Sequence, residues 1–155
     1  MGRAVHGVMD LVMSSSTFPS KETIEGFILK LVAQEQAEDQ IEDIRERISK
    51  LLENSEIKEA LATELRWPEL QLAMKVEEDT IRYVEGFADL VYKSSSGYVL
   101  VDYKTDVSLE GSMDHYREQL GAYAEVIEAT TGEKLAKVLL IHARADLAET
   151  VELKY

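Results

Sequence analysis

The stretch that most constrains this chain is Tyr98-Val-Leu-Val101, apolar at successive positions. Such a run suits a strand at the centre of a sheet, buried on both faces. Just before it, Ser94-Ser-Ser-Gly97 reads as a hairpin turn, and Ile81 to Tyr92 as the preceding strand. The central strand runs directly into Asp102-Tyr-Lys104. A carboxylate that continues a buried strand is expensive unless something partners it.

The rest of the chain supplies the layers. Ala4 to Met13 is mostly apolar with few breakers and reads as a helix; Ser14 to Ser20 is a Ser/Pro loop. Ser20 is an N-cap for a second helix, with Glu22 and Glu25 near the positive end of its dipole and Ile24, Phe27, Ile28, Leu31 and Val32 at helical spacing. Gln36 to Leu52 repeats the pattern, apolar at Ile41, Ile44, Ile48, Leu51 and Leu52, with a solvated acidic face. Asn54 and Ser55 break it, and Glu56 to Ala62 is a further short helix. After Thr63 the character changes. Glu64 to Met74 is extended, with Pro68 marking an edge or a bulge. Met113 to Thr130 is a helix stopped at Gly132, Leu135 to His142 a buried strand, and Thr150 to Leu153 a short last one. The expected fold class is α/β, one domain over residues 1–155: a helical part to about residue 62, then a mixed sheet core flanked by helices.

Strand periodicity sets the chemistry. Asp102 and Lys104 are two apart and share a face. A turn centred on Ser95-Ser96 puts Asp89 opposite Asp102; one centred on Ser96-Gly97 puts it opposite Lys104. Either register brings the three side chains together, whereas a one-residue slip would flip the faces. Facing carboxylates repel, and a divalent cation turns that liability into a site. Oxygen ligands without thiolates suit Mg²⁺ or Mn²⁺, and an adjacent lysine can orient water or stabilise charge on a phosphate.

Composition excludes several classes. With no cysteine, the chain has no disulfide, zinc–thiolate site, cysteine nucleophile or cysteine-held iron–sulfur cluster. No apolar run is long enough to span a bilayer and no secretory signal is evident, so the expected location is the cytoplasm. The formal net charge of -13 argues against a free-standing nucleic-acid binder. A chain of this charge that handles nucleic acid therefore needs carboxylates neutralised by metal, an acidic surface turned away from the cleft, or a strand delivered by another domain.

Gly86-Phe-Ala-Asp89, Asp102-Tyr-Lys-Thr105 and Gln119-Leu-Gly-Ala-Tyr123 occur in that order, preceded by Gly2-Arg-Ala-Val-His6. The series resembles the G-x-x-D, D-Y-K-T and Q-x-x-x-Y motifs, and the opening G-x-x-x-H helix, of RecB-like nucleases in the PD-(D/E)XK superfamily. In detail it looks like the C-terminal nuclease domain of bacterial superfamily 1 helicase–nucleases. The resemblance implies a restriction-endonuclease-like core. It implies Asp89, Asp102, His6 and the Tyr103 carbonyl as metal ligands, with Asp89, Asp102 and Lys104 catalytic, and Gln119 and Tyr123 supporting the site or the DNA. It also implies an acidic residue on the first strand, where Glu64 stands, although a structural role fits Glu64 better.

Outside that series the residues read plainly: His115 on a helix surface, His142 as a core or edge histidine, Tyr116 as core. Arg82, Lys93, Arg117 and Arg144 read as solvated. The expected activity is that of a Mg²⁺- or Mn²⁺-dependent deoxyribonuclease. It would act as an exonuclease on DNA ends or single strands in repair or recombination, leaving a 5′-phosphate and a 3′-hydroxyl, beside a helicase domain or subunit. The alternative is a non-catalytic scaffold in a helicase complex, with the acidic helices as its docking face. Because the first motif follows Met1 at once, the chain is expected to be an excised domain or a stand-alone relative.

Overall fold

The computed structural model describes residues 1–77 and 81–155. Four helices come first. α1 (Gly2–Ser14) turns Ala4, Val5, Val8, Met9 and Val12 inward. α2 (Lys21–Gln34) is capped as expected, with Ser20 Oγ accepting the Thr23 N–H at 3.2 Å. α3 (Ile41–Glu53) buries Ile44, Ile48 and Leu51. α4 (Ser55–Leu61) starts where Asn54 Oδ1 accepts the N–H of Glu56 and of Ile57. The sequence places the start of the third helix at Gln36, five residues early. Gln36 has φ 52°, outside helical space, and a single 3₁₀ turn (Glu38–Gln40) intervenes before α3.

Five strands form one sheet in the order β1-β2-β3-β4-β5: β1 (Arg66–Glu77), β2 (Ile81–Ser94), β3 (Gly97–Lys104), β4 (Leu135–Ala143) and β5 (Ala148–Glu152). β3 and β4 are parallel and every other pair is antiparallel, so the sheet is mixed. The parallel pair needs a crossover, which α5 (Met113–Thr131) supplies. Gly132, at φ 72°, ends α5 in the left-handed conformation a glycine adopts without strain. β1 is an edge strand, which reconciles Pro68 with the sheet.

Each face of the sheet carries a hydrophobic layer. α1 to α4 pack over Leu90, Tyr92, Val99, Val101, Tyr103, Leu139 and Ile141. On the other face, Leu120, Tyr123, Ala124 and Ile127 of α5 pack over Ala88, Val91, Leu100, Val138 and Leu140. β3 thus feeds alternate side chains into both layers, as its apolar run requires. The result is the α/β, restriction-endonuclease-like arrangement expected: a mixed sheet flanked by helices with a helical N-terminal segment. Among the described residues, no helix is long and apolar enough to cross a membrane.

Candidate active site

The site begins with the β2–β3 turn. Ser94 pairs with Gly97, so Ser95 and Ser96 form a two-residue turn and Asp89 falls opposite Asp102. Backbone pairing of β2 with β3 stops at Leu90–Val101. Beyond that point the Tyr103 N–H donates to Asp89 Oδ2 at 2.7 Å. A side chain has replaced the strand ladder, which fixes the Asp89 carboxylate against the β3 backbone.

α1 closes the site from the helical layer. His6 Nδ1 lies 3.4 Å from Asp89 Oδ1, and its ring meets that of Tyr103 edge-on, 5.9 Å between centroids. At Gly2 α1 runs close to Thr105: a Cβ there would sit 3.1 Å from Thr105 Oγ1. His6, Glu69, Tyr103, Lys104, Thr105 and Asp106 line a cleft of about 500 Å³.

β1 contributes Glu69. In the uniform β1–β2 register, with Pro68 across from Leu90 and Leu70 across from Ala88, Glu69 stands level with Asp89. Its φ of 45° is unusual for a non-glycine residue in a strand. One ligand atom each from His6, Glu69 and Asp89 lie within 4.8 Å of one another. Asp102 lies outside this trio, with its Oδ2 2.8 Å from Lys104 Nζ. That approach lacks hydrogen-bond geometry, and the buried oxygen has no hydrogen-bond partner.

The electrostatics follow from crowding. Burial, then the charge of Asp89, push Asp102 up to about 6, against the opposing pull of Lys104 and His6. Burial and the charges of Asp89 and Asp10 raise Glu69. For His6, burial works downward, but the hydrogen bond and charge of Asp89 outweigh it and the net shift is upward. Lys104 behaves alike: burial lowers it, and Asp102 more than compensates, so it stays an ammonium. The residues fit a divalent cation. Their donors are oxygens and an imidazole, their carboxylates are strained by mutual repulsion, and a buried lone pair on Asp102 is unspent.

The other expected residues are found nearby. Gln119 Nε2 donates to the Tyr123 hydroxyl at 3.4 Å, and Tyr123 rests on Gly86, where a Cβ would fall 2.0 Å from its hydroxyl. The glycine of G-x-x-D and the tyrosine of Q-x-x-x-Y are therefore one packing unit. Glu64 is exposed in the segment before β1, and the acidic first-strand residue at the site is Glu69. The pairing of Glu77 with Ile81 sets this level, since counting back from it puts 69 opposite 89.

Tyr116, read from sequence as core, is half-buried against the α5-side layer and also reaches Asp106 and Lys104. Its hydroxyl donates to Asp106 Oδ2 at 3.0 Å, and Lys104 Nζ lies 4.8 Å from its ring centroid. His142 is buried, with Nε2 2.7 Å from the Asp106 carbonyl oxygen. Arg82, Lys93, Arg117 and Arg144 pair with Glu125, Glu133, Asp114 and Asp146 respectively.

The sheet seats paired carboxylates and a lysine at the open end of a hairpin, closed by a helix histidine, and this group is a candidate cation site. A profile described as "PD-(D/E)XK nuclease superfamily" matches residues 1–152, and the chain belongs to that superfamily of nucleases. Among curated relatives, an ATP-dependent helicase/nuclease subunit from Clostridioides difficile (strain 630) is 27% identical over 158 residues, covering 86% of this chain and 12% of that protein. The subunit of the same name from Alkaliphilus metalliredigens (strain QYMF) is 37% identical over 73 residues, 44% of this chain and 6% of its own length. The chain therefore spans a small fraction of the relatives it matches. Among solved structures, the crystal structure of SSO0001 aligns over 95% of this chain and 65% of its own, at 17% identity and a TM-score of 0.47, too distant to inform the site.

Proposed function

We propose that residues 1–155 form a single nuclease domain that hydrolyses DNA phosphodiesters with Mg²⁺ or Mn²⁺, as an exonuclease working on ends or single strands. The observation that carries this reading is the pair of buried Asp102 and half-buried Lys104, set across the hairpin from Asp89, which His6 of α1 meets. His6, Asp89, Asp102 and the Tyr103 carbonyl, with Glu69 beside them, would hold the cation. When bound, it supplies Lewis-acid stabilisation of charge at the scissile phosphate.

The chain's own residues do the rest. Tyr103 N–H and His6 orient Asp89, which otherwise would swing away from its like-charged neighbours. Lys104, held as an ammonium by Asp102, offers a fixed positive charge to the phosphate oxygens and a donor that orients the attacking water. Gln119 and Tyr123 brace β2 through Gly86 and so support the site. The products are a 5′-phosphate and a 3′-hydroxyl. Two relatives are named as helicase/nuclease subunits, which supports a helicase partner, in the same chain or a separate one, and a cytoplasmic role in repair or recombination.

The test is cleavage of labelled single- and double-stranded DNA at low salt in Mn²⁺, wild type against Lys104→Met. Wild type should cut, and the variant should lose about 10²- to 10³-fold, as when one preorganised donor is removed. Wild type that binds Mn²⁺ yet cuts neither substrate would overturn the enzyme reading in favour of the scaffold.

A further inference from the structure

We propose that the open face of the β1–β2 hairpin beside this site, carrying Phe87, Tyr83 and Ile81, is a platform on which the bases of single-stranded DNA stack. The proposal rests on the nuclease reading and adds to it how the strand is held.

From Ile81 to Ala88 the alternation on β2 is regular, and it shifts between Ala88, on the α5 side, and Leu90, on the α1 to α4 side. Val84 and Ala88 are buried against the α5 layer, and Gly86 lies under Tyr123 of α5. Ile81, Tyr83 and Phe87 therefore face the opposite way, and they are 60%, 69% and 55% exposed. This is the same face on which Asp89 meets His6 of α1. α1 to α4 cover that face only at the Leu90–Tyr92 end of β2. Phe87 is two residues before Asp89, about 7 Å along the strand, and Tyr83 lies about 20 Å out. The aromatic row thus leads directly away from the cleft. Glu85, also exposed, stands between Tyr83 and Phe87 on this face; large apolar side chains left in the open on either side of it mark a binding surface more often than chance.

Chemistry favours unpaired bases as the occupant. A duplex hides its bases and must be gripped through phosphates by free cations. This chain carries a net charge of -13, and Arg82 and Lys93 of β2 are paired with Glu125 and Glu133. Stacking on an exposed ring contributes whatever the base, because every base offers a π-face, and a duplex cannot use it. Phe87 is the row's nearest member to Asp89, so a strand leaving the cleft along β2 meets its ring first.

The experiment is fluorescence anisotropy of a labelled oligothymidylate in EDTA, where nothing is cleaved, using wild type, Phe87→Ala, Tyr83→Ala, the double variant and Phe87→Trp. Wild type should bind; each alanine should weaken binding by about 5- to 150-fold, and tryptophan should retain it. An abasic strand of equal length should bind wild type as poorly as oligothymidylate binds the double variant. Both rings are exposed, and an unchanged thermal melt would show the fold intact. Alanine variants that bind like wild type, an abasic strand that binds as well as oligothymidylate, or no binding by wild type would each overturn the platform. So would variants that lose only a protein partner. The nuclease reading is tested separately in Mn²⁺. Loss of strand binding in the variants beside a wild type that never cuts would sustain the platform and sink the enzyme.

Discussion

Asp102 departs most from the behaviour of an isolated side chain. In a metal-free fold its carboxyl sits near 6, against an ordinary 3.8, because burial and Asp89 disfavour its charge. Between those values the folded chain keeps a proton that the unfolded chain has released. Stability from this group is therefore complete below pH 4 and is lost as pH rises through 6, the reverse of a salt-bridged aspartate. At about 1.4 kcal/mol per unit the effect is on the order of 3 kcal/mol. Glu69 and His6, also raised, act in the same direction. Urea midpoints in EDTA should fall from pH 4 to 7 in wild type and fall much less in Asp102→Asn; equal slopes would contradict the crowding described above. At this scale the sequence was readable where strand arithmetic applies. Asp89, Asp102 and Lys104 follow from a period of two and a short turn, and the structure selected one of the two registers left open. Glu69 did not follow, because its level on β1 depends on where the chain reverses before β2. Glu64, five residues away, was the acidic residue in view.

Among elements, β1 carries its function at a cost. Glu69 has φ 45° in the middle of a strand, and left-handed backbone costs an ordinary residue about 1–2 kcal/mol. Glu69→Gly removes that strain and Glu69→Ala does not. Glycine should accordingly give the more stable protein of the two by about 1 kcal/mol in urea, while both weaken Mn²⁺ binding. Alanine as stable as glycine would mean that the bend is unstrained. The α5–β2 contact makes a second prediction. At Gly86 an added Cβ would lie 2.0 Å from the Tyr123 hydroxyl and 2.7 Å from its ring carbon. Gly86→Ala should destabilise by about 1–3 kcal/mol. Because a ring atom clashes as well, Tyr123→Phe should not rescue it, whereas Tyr123→Leu should recover part of the loss. The elements themselves were legible from periodicity, caps and the Gly132 stop. The third helix was placed early because Gln36 and Ala37 carry no breaker in their side chains; the turn there is a backbone event.

For the molecule as a whole, the balance of 30 acidic against 17 basic residues is the strongest fact to reconcile with a nucleic-acid substrate. On the proposed reading part of it is offset locally, where a cation would neutralise the cluster at the hairpin. Binding should then stabilise the fold: Mn²⁺ at about a hundred times its dissociation constant adds about 2.7 kcal/mol, or about 5–10 °C in a chain of this size. Differential scanning calorimetry would show that rise in wild type and its absence in Asp102→Ala. What sequence could not show at this scale is which surface is bare. The exposure of Tyr83 and Phe87 depends on how far α1 to α4 reach across the sheet, and that is set by tertiary packing.

The most direct test is isothermal titration of Mn²⁺ into the wild-type protein and into Asp89→Asn, with circular dichroism confirming that both are folded. Saturable binding to wild type, lost or weakened at least tenfold in the variant, is the result expected of a cation site built on Asp89. Folded wild type that takes up no Mn²⁺, or a variant that binds it equally well, would contradict the central claim.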